Sequence, residues 1–188
     1  MEKISFDGGN AFCPQALYLY GTYKDDGNAN YGLFCWCAYC NGGALKFVAC
    51  IGEDKLTRDL IRKNGVFSAT VVTEELLSAA DFCGTHSGYA VNKEEKIPSV
   101  QGEKLNVPVP TAGSWTMELR VEKVLRVSDE HDSDIYICDI VNVVADRRLL
   151  DETLTLEEKL VLIKPVVTMK QEYLPVAPQS FGGWGTLS

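Results

Sequence analysis

Histidine is nearly absent from this chain. The two it has, His86 and His131, show no metal-site spacing, and a lone C-x-x-C, Cys37 to Cys40, has no second pair to complete a zinc site. No metal is expected. The chain also lacks a G-x-x-x-x-G-K-[ST] phosphate loop, and no G-x-G-x-x-G opens a helix after a strand, so no built-in dinucleotide fold is indicated. Gly84-Thr85-His86-Ser87-Gly88 sets its serine one place too late for a G-x-S-x-G nucleophile elbow. No pair of carboxylates stands out as an acid/base couple, and His131 sits in an acidic turn that reads as solvated. No catalytic side chain is therefore expected.

Positive charge is scarce as well. Lys and Arg number 18 against 26 Asp and Glu, a net charge of −8. An acidic surface repels phosphate backbones and anionic lipid, so neither nucleic acid nor a membrane is expected as a partner. The most apolar stretch, residues 31–52, is interrupted by Asn41-Gly42-Gly43 and then Lys46, and reads as two strands joined by a turn. The first residues show no basic region followed by an apolar core, so no export signal is expected. The seven cysteines are accordingly expected as reduced thiols in the cytoplasm. On a strand, Cys35 and Cys37 share one face and Cys40 takes the other, so the three read as small buried residues.

What the chain has in plenty is apolar and aromatic residues, 46% hydrophobic over 188 residues, and these can bury roughly 70% of the unfolded surface. No repeat or linker divides it, and residues 1–188 read as one domain. Strands are expected at 15–23, 30–40, 45–51 and 66–72, the first two joined by an Asp26-Gly27 turn. A short helix follows Leu56, with Thr57 as N-cap, a Leu56/Ile61 staple and Gly65 as its stop. A second starts at Thr73 and ends before Gly84. Residues 97–113, broken by Pro98, Gly102, Pro108 and Pro110, read as a long loop. Strands are then expected at 115–127 and 135–144, a helical turn within 151–159, and a last strand at 166–173. Many short strands with two or three short helices make a mainly β fold, a barrel or sandwich.

The order of pieces is informative. A strand after Pro14, Asp-Gly, Asn30 with Trp36 six residues on, a strand ending at Ile51, a helix opening at Thr57, Gly65-Val66-Phe67, Ser87-Gly88 and Asn92-Lys93 follow in turn. Together they resemble the flavin reductase-like family and, within it, the flavoredoxin type. The resemblance continues through residues 135–146, Tyr173 and Gly182, Gly183 and Gly185. It departs at Ala16, at Asn41-Gly42-Gly43 and at Cys138-Asp139-Ile140.

The resemblance implies a Greek-key split β-barrel that binds FMN, and a homodimer. It also implies an oxidoreductase passing electrons from reduced nicotinamide to a flavin, a metal complex or a small redox protein. The alternatives are a flavoredoxin-like carrier that takes its electrons from a redox protein and binds no nicotinamide, and a non-redox module for another planar ligand. A flavin performs the redox chemistry itself, which suits a chain without a catalytic dyad. Its phosphate needs a local positive site. Lys55, Arg58, Arg62 and Lys63 lie within nine residues at the start of the predicted helix, where Thr57 adds a hydroxyl and Arg58 a charged fork. By the same resemblance Asn30 and its strand face the flavin ring, and Trp36 packs in the core or at the ring edge. The backbone at Ala49 and Cys50 meets the pyrimidine edge, and Ser87 and Lys93 reach the phosphate or ring. Read from the residues alone, Lys93 is an ordinary solvated lysine.

Overall fold

The computed structural model describes residues 1–5, 9, 12–52, 54–128, 130 and 132–187, so His131 lies outside the described residues. After β1 (Gln15–Ala16) and β2 (Tyr18–Tyr23) the chain turns through Gly27, at φ +82°, into β3 (Ala29–Phe34). The single return strand expected over 30–40 is in fact two. It breaks at Cys35-Trp36, and β4 (Cys37–Asn41) pairs with β5 (Leu45–Ile51) instead of with β2. Beyond β5 come α1 (Leu56–Asn64), β6 (Val66–Val71) and α2 (Glu74–Thr85). Residues 97–113 are more ordered than a loop, because β7 (Ser99–Gln101) and β8 (Pro108–Pro110) pair within them. The long strands β9 (Trp115–Arg126) and β10 (Asp134–Ala145) follow, then α3 (Leu156–Ile163), β11 (Val166–Met169) and β12 (Glu172–Pro175).

The main sheet is antiparallel, in the order β3-β2-β6-β9-β10-β5-β4. Its two outer strands, β3 and β4, are consecutive in the chain and only Cys35 and Trp36 separate them. A sheet whose ends are so tied must curl round on itself. The result is a mainly β split barrel with three α-helices, as expected.

Alternation then makes two cores from one sheet. Tyr18 and Tyr20 point inward with Phe47, Phe67, Met117, Leu119 and Tyr136, and Tyr20 stacks on Phe34 at 4.7 Å and 17°. Leu17, Leu19 and Tyr31 point outward, where Ala80 and Cys83 of α2 cover them together with Ile97 and Val166. Strand β3 is thus backed by a helix on its outer face, and α2 ends beside it.

Three local expectations shift. The N-cap of α1 is Lys55, not Thr57, and no side chain caps it; Thr57 lies in the first turn with its hydroxyl taken by Asn30. The Leu56/Ile61 staple is lost with it, because Asp54 now precedes the cap, whereas Gly65 ends the helix as expected, at φ +68° with its N–H on the Ile61 carbonyl. Helix α2 runs through Gly84 to Thr85. The expected helical turn becomes α3, begun by a capping box in which Thr155 and Glu158 bond reciprocally.

Among the described residues no helix is long and apolar enough to cross a membrane, and all seven cysteines are free.

Candidate functional site

A cleft of about 200 Å³ lies where the first turn of α1, the outer edge of β3 and the end of α2 converge. Its walls are Gly32, Leu33 and Phe34 of β3, Lys55, Leu56 and Thr57 at the start of α1, residues 83–88, and Lys93. Among the described residues strand β3 pairs only with β2, so one edge of its backbone faces this space. The Tyr31 carbonyl points there, toward Lys93. Because backbone groups of alternate residues leave a strand on the same side, the N–H and C=O of Leu33 point there too.

Lys93 is the most unusual residue of the cleft. It is 5% exposed, and its ammonium donates to the carbonyls of Tyr31 at 2.9 Å and Cys83 at 2.6 Å, joining β3 to the end of α2. It forms no ion pair with any described carboxylate. Two of its three N–H groups are thus engaged and its charge is uncompensated. Burial, and the nearby charge of Lys55, favour the neutral form and hold its pKa below 10.5.

Asn30 backs the cleft. It is buried, its amide N–H donates to Thr57 Oγ1 at 2.9 Å, and its Oδ1 looks toward Gly88, where a Cβ would approach to 2.5 Å. Close approach also governs Gly32, since a Cβ there would sit 2.8 Å from Thr57 Oγ1 and 2.7 Å from the Phe34 ring. Ser87 lines the mouth and bonds weakly to the Tyr89 N–H at 3.4 Å. Beside it His86 stacks on Phe82, with centroids 4.1 Å apart, and its Nδ1 lies 3.1 Å from both Thr85 Oγ1 and the Phe82 carbonyl.

The structure therefore brings Asn30, Thr57, Ser87 and Lys93 together. It adds Lys55, His86 and the Leu33 backbone, of which only Lys55 had a sequence signal, as part of the basic run. The histidine and its neighbours matter because they end a helix beside an open strand edge, which neither metal-site nor nucleophile spacing reveals.

Arg58 lies elsewhere. Its guanidinium is 2.7 Å from Asp132 and 3.1 Å from Asp59, and it also donates to the Asp132 carbonyl. Burial disfavours its charge, but those carboxylates outweigh burial and raise its pKa. Arg62 is held by Asp134, and Lys63 by Asp25. Of the four clustered cations only Lys55 faces the cleft. Trp36, Ala49 and Cys50 form a separate group at the seam between β3 and β4. Trp36 is 57% exposed and its carbonyl accepts the Cys50 N–H at 2.8 Å; Ala49 is fully buried between Cys37 and Tyr136.

The cleft thus presents an open helix N-terminus, a buried uncompensated ammonium, a second lysine and two hydroxyls. That set suits a small anion. Asp54 and Cys83 also line it.

Comparison with known proteins bears on which anion. The family model described as flavin reductase like domain matches residues 10–164. Over 95 residues, 50% of this chain, the sequence is 33% identical to an uncharacterized protein of Archaeoglobus fulgidus, and that match spans about half of the relative's length, 52%. Among solved structures, flavoredoxin of Desulfovibrio vulgaris (Miyazaki F) superposes with a TM-score of 0.86 at 20% identity, covering 99% of both chains. Flavoredoxin from Methanosarcina acetivorans gives 0.85 at 20% identity over 99% of this chain and 97% of that one. An FMN-binding protein from Thermus thermophilus with bound p-hydroxybenzaldehyde gives 0.76 at 19%, covering 97% and 98%. At such identities the likeness is one of fold.

Proposed function

The chain belongs to the flavin reductase-like family, and from that premise we propose that it is a flavin-dependent redox protein that holds FMN by its phosphate in the cleft between α1, α2 and β3. The observation that carries the reading is Lys93, an ammonium buried beside a helix N-terminus without a side-chain cap and paired with no carboxylate among the described residues. Burying such a charge is costly, and a phosphate monoester in the cleft supplies the missing countercharge. The donor set fits that group: the third N–H of Lys93, the amides of the first turn of α1, the hydroxyls of Thr57 and Ser87, and Lys55 at the rim.

When bound, the flavin supplies hydride and single-electron chemistry, so the chain needs no acid/base pair of its own. Its residues bind and orient. Asn30 fixes Thr57 through the 2.9 Å bond, and the outward backbone of Leu33 offers a donor and an acceptor to a ring edge. Trp36 borders the seam between β3 and β4 and completes the ring side of the reading, whereas the Cys50 N–H is already taken by the Trp36 carbonyl and Ala49 lies between β4 and β10, so neither offers a free donor to the pyrimidine edge. Arg58 contributes indirectly, as its pairing with Asp132 anchors the helix whose N-terminus faces the cleft.

In this reading reduced nicotinamide is the electron donor, and a flavin, a metal complex or a small redox protein the acceptor. Two copies of the chain assemble. The solved relatives named flavoredoxin and FMN-binding protein lend support through their shared fold. The test is the visible spectrum of purified protein before and after FMN is added, followed by steady-state oxidation of NADH and NADPH. Saturable binding with turnover supports the reading. Binding without turnover identifies a carrier, and no binding at all overturns it.

A further inference from the structure

Helix α3 is well begun and badly covered. Its capping box is complete, yet none of its eight residues is buried; Leu156 is 65% exposed and Val161 56%. A helix this short gains little from its own hydrogen bonds and owes its stability to packing. An apolar groove of about 420 Å³ runs along it, with Leu154, Val161, Leu162 and Pro178 inside and Glu157 and Glu158 on the rim.

The tail beyond β12 has the opposite character. Trp184 is fully exposed and Phe181 is 89% exposed. The Ser180 N–H is tied to Glu157 at 2.7 Å, which carries the chain over the edge of its own groove. A local turn follows, with Gly182 at φ +121°, Gly185 at φ +80°, and both the N–H and the hydroxyl of Thr186 bonded to the Gly183 carbonyl. That turn leaves the indole fully exposed and outside the lining of the groove beside which it starts.

We propose that two copies of the chain exchange these tails, Phe181 and Trp184 of each occupying the α3 groove of the other. The inference deepens the two-copy assembly of the preceding reading by naming its surface. Each copy carries one protruding aromatic segment and one unfilled groove, which is the condition for a closed twofold pair. The areas agree. Aromatic side chains bury about 150–250 Å² each, so four of them and the surface they cover remove roughly 1,200–2,000 Å², the range of stable dimers. Residues 176–187 contain no charged side chain, so the acidic rim does not repel them. A net charge of −8 and that same rim disfavour an anionic bilayer as the alternative occupant.

The full chain is studied by sedimentation equilibrium together with tryptophan emission across a dilution series. The expected mass is twice 20.7 kDa, with emission shifting to the red as the dimer dissociates. Both F181A/W184A and Val161→Glu change exposed positions. Each is expected to weaken the dimer by roughly 30-fold or more, as loss of a central aromatic anchor does, with an unchanged far-ultraviolet spectrum. Mixing the two variants restores partial association, because one tail and one groove remain intact in the mixed pair. A dimer that persists in both variants sinks the tail exchange while leaving the two-copy reading standing. A monomer whose indole stays buried on dilution, with the tail in its own groove, overturns it, as does binding to anionic vesicles without self-association. FMN titration of the same samples reports on the flavin reading separately.

Discussion

Replacing Lys93 by methionine keeps the length and apolar stem of the side chain and removes its ammonium. Two consequences compete. The carbonyls of Tyr31 and Cys83 lose their donor, at about 1–3 kcal/mol each, while the expense of burying a charge disappears. Stability alone is therefore a poor readout. Affinity is a better one: a charge-assisted bond to phosphate contributes about 1.5–3 kcal/mol, so the FMN dissociation constant rises roughly 10- to 150-fold. Riboflavin supplies the control, having the same ring and ribityl chain without the phosphate. The expected result, from quenching of flavin fluorescence, is a large loss for FMN and almost none for riboflavin. The pH profile gives the same group a signature. Because burial holds Lys93 below 10.5, its charge is lost as pH rises while ordinary lysines remain protonated. FMN affinity of the native protein should fall in that window, and riboflavin affinity should stay level. Equal losses for both ligands would mean that Lys93 only positions β3 and α2; no loss for either would remove phosphate from the cleft.

Arg58→Ala should lower unfolding stability by about 1–2 kcal/mol, read by urea denaturation, because a nearly buried guanidinium gives up its bonds to Asp132 and Asp59, two half-exposed carboxylates that Arg62 and the Tyr89 hydroxyl still reach. Its effect on FMN affinity should be much smaller than that of Lys93→Met. Gly32→Ala should weaken FMN binding at least about 10-fold and cost roughly 1–3 kcal/mol, since the new methyl meets Thr57 Oγ1 and the Phe34 ring. Glu118→Gln should lower stability by about 2–3 kcal/mol, because the carboxylate accepts from Asn142 at 2.7 Å and from the N–H groups of Glu103, Lys104 and Leu105. Burial opposes its ionisation, but those four donors outweigh burial and leave its folded pKa below 4.5. Its contribution is thus complete above pH 4.5 and is lost as pH falls through the folded value, so the gap between native and variant should close in acid.

Much of the fold was legible where the signal is local. Asp26-Gly27 announced the first hairpin because glycine accepts φ +82°, and Gly65 announced a helix end for the same reason. Alternation located β9, and a largely apolar run located β10. Alternation did not reveal the break at Cys35-Trp36, because a run of apolar residues looks the same whether or not it changes partner midway. Nor does alternation reveal that Glu118, a polar position on β9, is fully buried, since backbone N–H groups of residues 103–105 close over it. Prolines at 108 and 110 argued for loop. Yet among the described residues β8 pairs only with β7, and an edge ribbon tolerates residues without N–H.

The candidate site was less legible because its electrostatics depend on distant partners. Four cations within nine residues read as one positive patch, yet the carboxylates that divide it stand far away in sequence: Asp132 and Asp134 for Arg58 and Arg62, and Asp25 for Lys63. In an acidic protein a cluster of bases finds counterions readily, and each ion pair formed removes a charge from the field that a ligand would feel. Lys93 escapes by burial. It sits between the β3 edge and the end of α2, where the nearest acceptors are main-chain carbonyls, which hold the ammonium in place without cancelling its charge. A carbonyl-bound lysine facing an open helix N-terminus therefore keeps a full positive charge available to an anion, and the more abundant arginines of α1 serve to fix the helix that aims those amides.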